Sequence, residues 1–177
     1  MKTRLRIQAE WVCLRGEQRL VSKRITATSI STNTNPNAEL KETGSVPTHM
    51  SSETVQITTN ERLEVVDITD QITNAIPTNT TGTITVFVEH TTAAVTVNEG
   101  ESRLLGDFET ALDDLVPDGG WAHDRIDDNA DSHVRAMLVG PSVTVPVADG
   151  SLQLGTWQSV LFVECDGPRT RQVRIVA

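Results

Sequence analysis

The chain has 177 residues, with 15 Lys and Arg against 24 Asp and Glu and a formal net charge of −9; such a length allows one domain with a tail. Residues 1–50 hold eight basic and four acidic side chains, whereas residues 51–177 hold seven Arg, no Lys and 20 acidic residues. That acidic surface excludes a nucleic-acid binder, which needs clustered cations for the phosphates, and no apolar run approaches the ~18 residues of a membrane span. An acidic surface without Lys suits a protein of a salt-accumulating cell, where screening removes much of the self-repulsion. Cys13 and Cys165 are the only cysteines. The basic N-terminus lacks the apolar core of a secretory signal, so a reduced, cytoplasmic setting is expected.

Residues 26–52 are rich in Thr, Ser, Asn and Pro and too poor in apolar residues to build a core. Patterned sequence starts directly after Met50. Residues 1–52 are therefore expected to be a disordered or mis-assigned leader, with either Met50 as the true initiator or a genuine basic leader followed by a linker. From residue 53 onward the pattern predicts a single compact α+β domain of mostly antiparallel strands with two to three helices. VQITT and LEVVDI read as strands around a turn at Asn60-Glu61. Ile68, Ile72 and Ile76 recur at i, i+4, i+8, as in a short helix that Pro77 ends. Ile84 to Glu89 and Ala93 to Val97 read as two strands in close succession. ESRLLGDFETALDDLVP reads as the clearest helix, with Leu104, Leu105, Phe108, Leu112 and Leu115 on one face. DSHVRAMLVG is a further helix, with Asn129 or Asp131 as N-cap, Gly140 at its stop, and Val134, Met137 and Leu138 as its core stripe. SVTVPV, SLQLGTW, SVLFVECD and RQVRIV read as four closing strands.

Three of the four histidines fall in this domain, and carboxylates accompany them. His123 and His133 sit among Asp124, Asp127, Asp128 and Asp131; His90 ends a strand; Glu99 follows the next one. Imidazoles beside carboxylates bind a divalent metal or move a proton near neutral pH. Alternation places Val86, Val88 and His90 on one strand face, with His90 at the rim of the core. A hairpin between the two strands would bring Glu99 close to His90. His133, in the first turn of its helix, meets the positive dipole end, which favours a neutral, ligand-competent ring. Three imidazoles and a carboxylate suffice for a zinc-type site with an open position. The spacings match no short-range metal signature such as H-E-x-x-H, so capped loops and solvated acidic faces are the competing account. Asp127 and Asp128 read as surface charge, and Asn129 as a helix cap or the holder of a neighbouring tautomer. Ser142 lacks a nucleophile elbow, and no phosphate-binding glycine loop occurs. The run Gly155 to Gln158, GTWQ, reads either as ligand contact or as a strand-edge bulge with Trp157 in the core.

Several spaced motifs resemble the YjbQ family, also called the secondary thiamine-phosphate synthase family. They are His90-Thr91-Thr92-Ala93-Ala94 with Asn98-Glu99, His123-Asp124, and Asn129-Ala130-Asp131 with His133. They continue through Leu138, Gly140, Ser142, Pro146-Val147, Gly150 and Gly155-Thr156-Trp157-Gln158 to Glu164, Asp166 and Pro168-Arg169. The resemblance covers residues 53–177. Two positions depart from it: Trp121 stands where members commonly carry Tyr, and Arg135 where Lys is frequent, keeping the charge but changing its geometry.

The resemblance implies a small α+β fold, a homotrimer, and the joining of hydroxymethylpyrimidine diphosphate to a thiazole phosphate with release of pyrophosphate. On that reading His90, Glu99, His123, Asp124 and His133 are the catalytic residues. His90, His123, His133 and Glu99 would hold a divalent metal, Zn or Mg, to meet the developing charge. Asn129, Arg135, Thr156, Gln158 and Arg169 would contact a small phosphorylated substrate. Two alternatives stand beside it: a metal-dependent hydrolase of a phosphorylated or heterocyclic metabolite, and a non-enzymatic protein that binds a small ligand or metal.

Overall fold

The structure, a computed structural model, describes residues 52–177; the expectations for the leader lie outside the described residues. Eight strands and three helices follow in the order β1 (Ser52–Thr58), β2 (Glu64–Asp67), α1 (Thr69–Ala75), β3 (Gly82–Val88), β4 (Ala93–Asn98), α2 (Ser102–Leu115), α3 (Ala130–Val139), β5 (Ser142–Ala148), β6 (Ser151–Leu152), β7 (Ser159–Glu164) and β8 (Thr170–Val176). The α+β class with mostly antiparallel strands is as expected.

The strands form two sheets. Five make one sheet in the order β1-β8-β3-β5-β6, and three make the other in the order β2-β7-β4. Strand alternation explains how they stack. Ile84, Val86 and Val88 of β3, Val173 and Ile175 of β8, and Val160 and Phe162 of β7 meet between the sheets, with Ile68, Ile72 and Ile76 of the α1 region closing the same core. The opposite phase of the smaller sheet, Val65, Ala94, Leu161, Val163 and Cys165, packs against Leu105, Phe108 and Leu112 of α2 and Ala136 of α3. The described residues thus stack in three layers, large sheet, small sheet and the helices α2 and α3, with α1 closing the core between the sheets. Among them, no helix is long and apolar enough to cross a membrane.

Three local expectations change. Strands β3 and β4 do not form a hairpin: they belong to different sheets, and the chain crosses from one layer to the other at residues 89–92. SLQLGTW is not a continuous strand. Only Ser151–Leu152 pairs, and Gly155 to Gln158 is a turn in which Gln158 N–H donates to Gly155 O at 2.9 Å and Gly155 N–H to Gln158 Oε1 at 2.8 Å. Trp157 is therefore 73% exposed rather than packed in the core. Helix α3 also turns a different face inward. Met137 and Leu138 are 72% and 54% exposed, while Asp131, Ser132, Arg135 and Ala136 are buried. The buried charges are tolerated because they sit beside one another at i, i+4 and satisfy each other.

Candidate functional site

The inward phase of β7 runs through Val160 and Phe162 and ends on Glu164; that of β8 starts on Arg171 and continues with Val173 and Ile175. Two opposite charges thereby close one end of the core between the sheets. Arg171 donates from Nε to Glu164 Oε2 and from Nη2 to Glu164 Oε1, both at 2.7 Å. Glu164 Oε1 also accepts the backbone N–H groups of Cys165 and Asp166, at 3.1 and 2.9 Å. Both residues are buried, as are Thr59 and Thr92 beside them. A bidentate pair with further donors is the geometry that makes a buried ion pair tolerable.

This pair presents its remaining face to His90. Arg171 Nη1 lies 2.8 Å from each ring nitrogen, Arg171 Nη2 donates to Thr92 Oγ1 at 3.1 Å, and Thr92 Oγ1 lies 3.3 Å from His90 Nδ1. His90 is itself exposed. Desolvation and the adjacent Arg171 cation hold its pKa below the ordinary 6.5, against a smaller opposite effect of Glu164. The ring is thus a neutral imidazole at physiological pH, with the Arg171 guanidinium held against it, equidistant from its two nitrogens. Arg169 lies at the same rim, donating to Asp166 O from Nε and to Asp166 Oδ2 from Nη2 at 3.0 and 3.2 Å. Asn129 Nδ2 reaches the same Asp166 Oδ2 at 3.5 Å, while Asn129 Oδ1 is buried without a hydrogen-bond partner among the described residues.

His123 and His133 form a second focus beyond Asn129. A short 3-10 turn, His123–Arg125, and the first turn of α3 bring the two rings edge to face, with centroids 5.3 Å apart. Asp124 anchors the segment: Oδ2 accepts from Trp121 N–H at 2.9 Å and Oδ1 from Ala130 N–H at 3.3 Å. Asp124 therefore serves the backbone here. Trp121, His123, Ala130, His133 and Val134 line a cleft of about 430 Å³, its far side open to solvent.

Glu99 is elsewhere. Strand β4 pairs Ala93 with Glu164 and Asn98 with Ser159, so Glu99 lies at the end of the small sheet opposite to His90. The strand between them spans roughly 17 Å. Glu99 shares a shallow cavity of about 260 Å³ with Glu101, Thr156, Trp157, Gln158 and Ser159. The expected proximity of Glu99 to His90 fails because a sheet-to-sheet crossover, not a hairpin, precedes β4. Among the described residues no group of three or more His, Cys, Asp or Glu side chains is placed to hold a metal ion. Within a single chain, His90, Glu99, His123 and His133 thus do not fit a shared metal.

Arg135 is also relocated. It is 1% exposed, and its guanidinium is taken up by Asp131, Asp113 and Asp118 and by the carbonyls of Leu112 and Val116. Nothing of it is free for a substrate phosphate. Glu164 and Arg171 are the residues that sequence reasoning left out of the site. The signal was present: Glu164 is a charge closing the continuous apolar run of β7, and Arg171 a charge in the inward phase of the alternating β8.

These features define a small two-sheet sandwich with a helical layer, carrying an arginine-backed histidine at one end of its smaller sheet. The family model described as UPF0047 protein YjbQ-like matches residues 53–177, and the chain belongs to that family. It is 50% identical over 120 residues to a UPF0047 protein of Archaeoglobus fulgidus, covering 67% of this chain and 94% of the relative. It is 48% identical over 120 residues to one of Methanothermobacter thermautotrophicus, covering 66% of this chain and 84% of the relative. A crystal structure of a hypothetical protein from Aeropyrum pernix K1 superposes with TM-score 0.69 at 41% identity, over 71% of this chain and 96% of the other. A YbjQ-like protein of unknown function from Sulfolobus solfataricus P2 gives 0.66 at 35% identity, over 72% and 95%.

Proposed function

We propose that this chain is an enzyme acting on a phosphorylated small metabolite, with secondary thiamine-phosphate synthase activity as the specific reaction. The observation that carries the reading is the buried pair of Glu164 and Arg171 presenting His90 at an exposed rim beside Arg169. A neutral imidazole at the surface, backed by a fixed cation, can take a proton or give one at its other nitrogen near neutral pH. Arg169 offers a guanidinium for phosphate oxygens at the same rim. Asn129, which reaches Asp166 Oδ2 at the His90 rim and directly precedes α3, stands between the His90 and His123 foci, and its contact with substrate is part of the same proposal.

The homotrimer belongs to the same proposal. Leu115, Met137 and Leu138 leave apolar surface exposed on the helical layer, which favours association. A neighbouring copy would also be needed to set Glu99, Thr156 and Gln158 near a histidine, and to complete any site for Zn or Mg. The deciding experiment measures thiamine phosphate formed from the two phosphorylated precursors, with and without chelator, by the wild type and by His90→Ala. Product formation lost in the variant supports the reading, and no product above the variant's level refutes it. Metal analysis of the same preparation tests the metal separately.

A further inference from the structure

Arg135, freed from the role of phosphate ligand, stands in a closed ring of alternating charge. Its Nη1 donates to Asp131 Oδ2 at 2.7 Å and its Nη2 to Asp118 Oδ1 at 2.8 Å. Arg62 closes the ring, with Nη1 3.2 Å from Asp118 Oδ2 and Nη2 2.9 Å from Asp131 Oδ1. Arg135 also donates to Val116 O at 2.7 Å and Leu112 O at 3.3 Å. The ring therefore joins four separate pieces of chain: the connection after β1, the C-terminal turn of α2, the segment after it, and α3. From that segment the order propagates to the cleft. Pro117 O accepts Trp121 Nε1–H at 2.8 Å, Trp121 N–H donates to Asp124, and Asp124 accepts Ala130 N–H.

We propose that Arg62, Asp118, Asp131 and Arg135 form a latch that positions the 117–129 segment, and with it Trp121 and His123 against His133. Arg135 and Arg62 are then positioning residues for the cleft, acting through Asp118. The ring is built unevenly. Asp131 and Arg135 are buried at 0% and 1% side-chain exposure, whereas Asp118 is 61% and Arg62 41% exposed. The inner pair belongs to the helix packing, and the outer pair is the part that can open without unfolding the sandwich. Two oppositely charged arginine contacts converge on Asp118 from different elements, so neutralising that one carboxylate releases both. A lysine in place of Arg135 would offer one compact ammonium instead of a fork, and could not reach five acceptors in three directions. The functional meaning of the latch rests on the reading that this cleft belongs to the site; its existence does not.

The test uses the full chain at fixed salt and concentration, comparing wild type with Asp118→Asn and Arg62→Gln. Amide hydrogen exchange should accelerate at least ~10-fold across residues 118–129 in both variants, with β3, β7 and β8 unchanged. In parallel, the His123 and His133 ring protons should lose the mutual ring-current shifts of their edge-to-face contact. Unchanged exchange in both variants overturns the proposal, and so does an equal acceleration in the strands, which would mark a general loss of stability. Neither readout depends on activity, so failure of the enzymatic reading leaves this result distinguishable.

Discussion

Replacing Glu164 by Gln removes one charge from the pair that closes the inter-sheet core while keeping the side chain's size. The amide oxygen can still accept from Cys165 and Asp166 N–H, so the backbone turn is retained. What changes is Arg171, 3% exposed at its side chain, which becomes a buried cation without its counter-charge. Breaking a buried pair in this way costs about 3–5 kcal/mol. For a domain of this size each kcal/mol moves Tm by a few degrees, so the expected fall is roughly 10–20 °C. The control is Glu89→Gln, which removes the exposed partner of Arg174 and should cost no more than ~1 kcal/mol. Both are measured by chemical denaturation at one salt and protein concentration. A third variant, Glu164→Leu with Arg171→Met, replaces both charges by apolar groups and should recover most of the loss. If Glu164→Gln costs no more than Glu89→Gln, the buried pair is not holding that end of the sandwich together.

Further outcomes follow from the same geometry. Gly150 has φ +72°, and a Cβ there would meet Thr78 Cα at 2.6 Å, so Gly150→Ala should destabilise by about 1–3 kcal/mol in the same denaturation assay. Acidification should weaken the fold in two stages, read by Tm against pH. His90 has a folded pKa below 6.5, so the unfolded chain takes its proton first and stability falls as pH drops below that value. Asp118, held below 3.8 chiefly by its hydrogen bond from Arg135, contributes above that value and loses its contribution as pH falls from it through the lower folded value. Removing salt should loosen the proposed homotrimer, because residues 51–177 carry 20 acidic side chains against seven basic ones. Light scattering across a salt series checks this, and a monomer at every salt concentration would refute the homotrimer.

Hydrophobic periodicity was a sound guide wherever apolar residues alone decide which way a segment faces. The isoleucines 68, 72 and 76 do line one core, the alternation of β3, β5 and β8 does mark the buried phase, and the unbroken apolar run of β7 marks a strand buried on both faces. It misled in α3, because it assigns every charge to solvent. There the apolar Met137 and Leu138 face outward and Arg135 inward; the i, i+4 spacing of Asp131 and Arg135 was the available signal for a self-satisfied buried pair. The placement of Glu99 was lost for a different reason. A short connection between strands reads as a hairpin, and nothing local distinguishes it from a crossover between stacked sheets. Of the residues expected to act together, Asp124, Asn129, His123 and His133 do gather around the start of α3. His90 and Arg169 share the neighbouring rim, while Glu99, Thr156 and Gln158 lie at the other end of the small sheet.

One construction recurs at both foci of the candidate site. In β7 and β8 the inward register of apolar residues ends on Glu164 and Arg171; in α3 the inward face carries Asp131 and Arg135. Each buried arginine is tolerable only because an acid is fixed beside it, and each spends a further donor on a group at the surface: Arg171 on His90, Arg135 on Asp118. The exposed chemistry is thereby attached to the core through charge pairs that cannot shift without a large penalty. This orders the sensitivity of the molecule to substitution. Changes to the outer groups, His90, Trp121 or Asp118, should alter the rim while the strands hold. Changes to the inner groups should disturb rim and fold together. A variant of Arg171 or Arg135 that abolished rim chemistry at undiminished stability would contradict this arrangement, since it would show that the inner charges serve the surface alone.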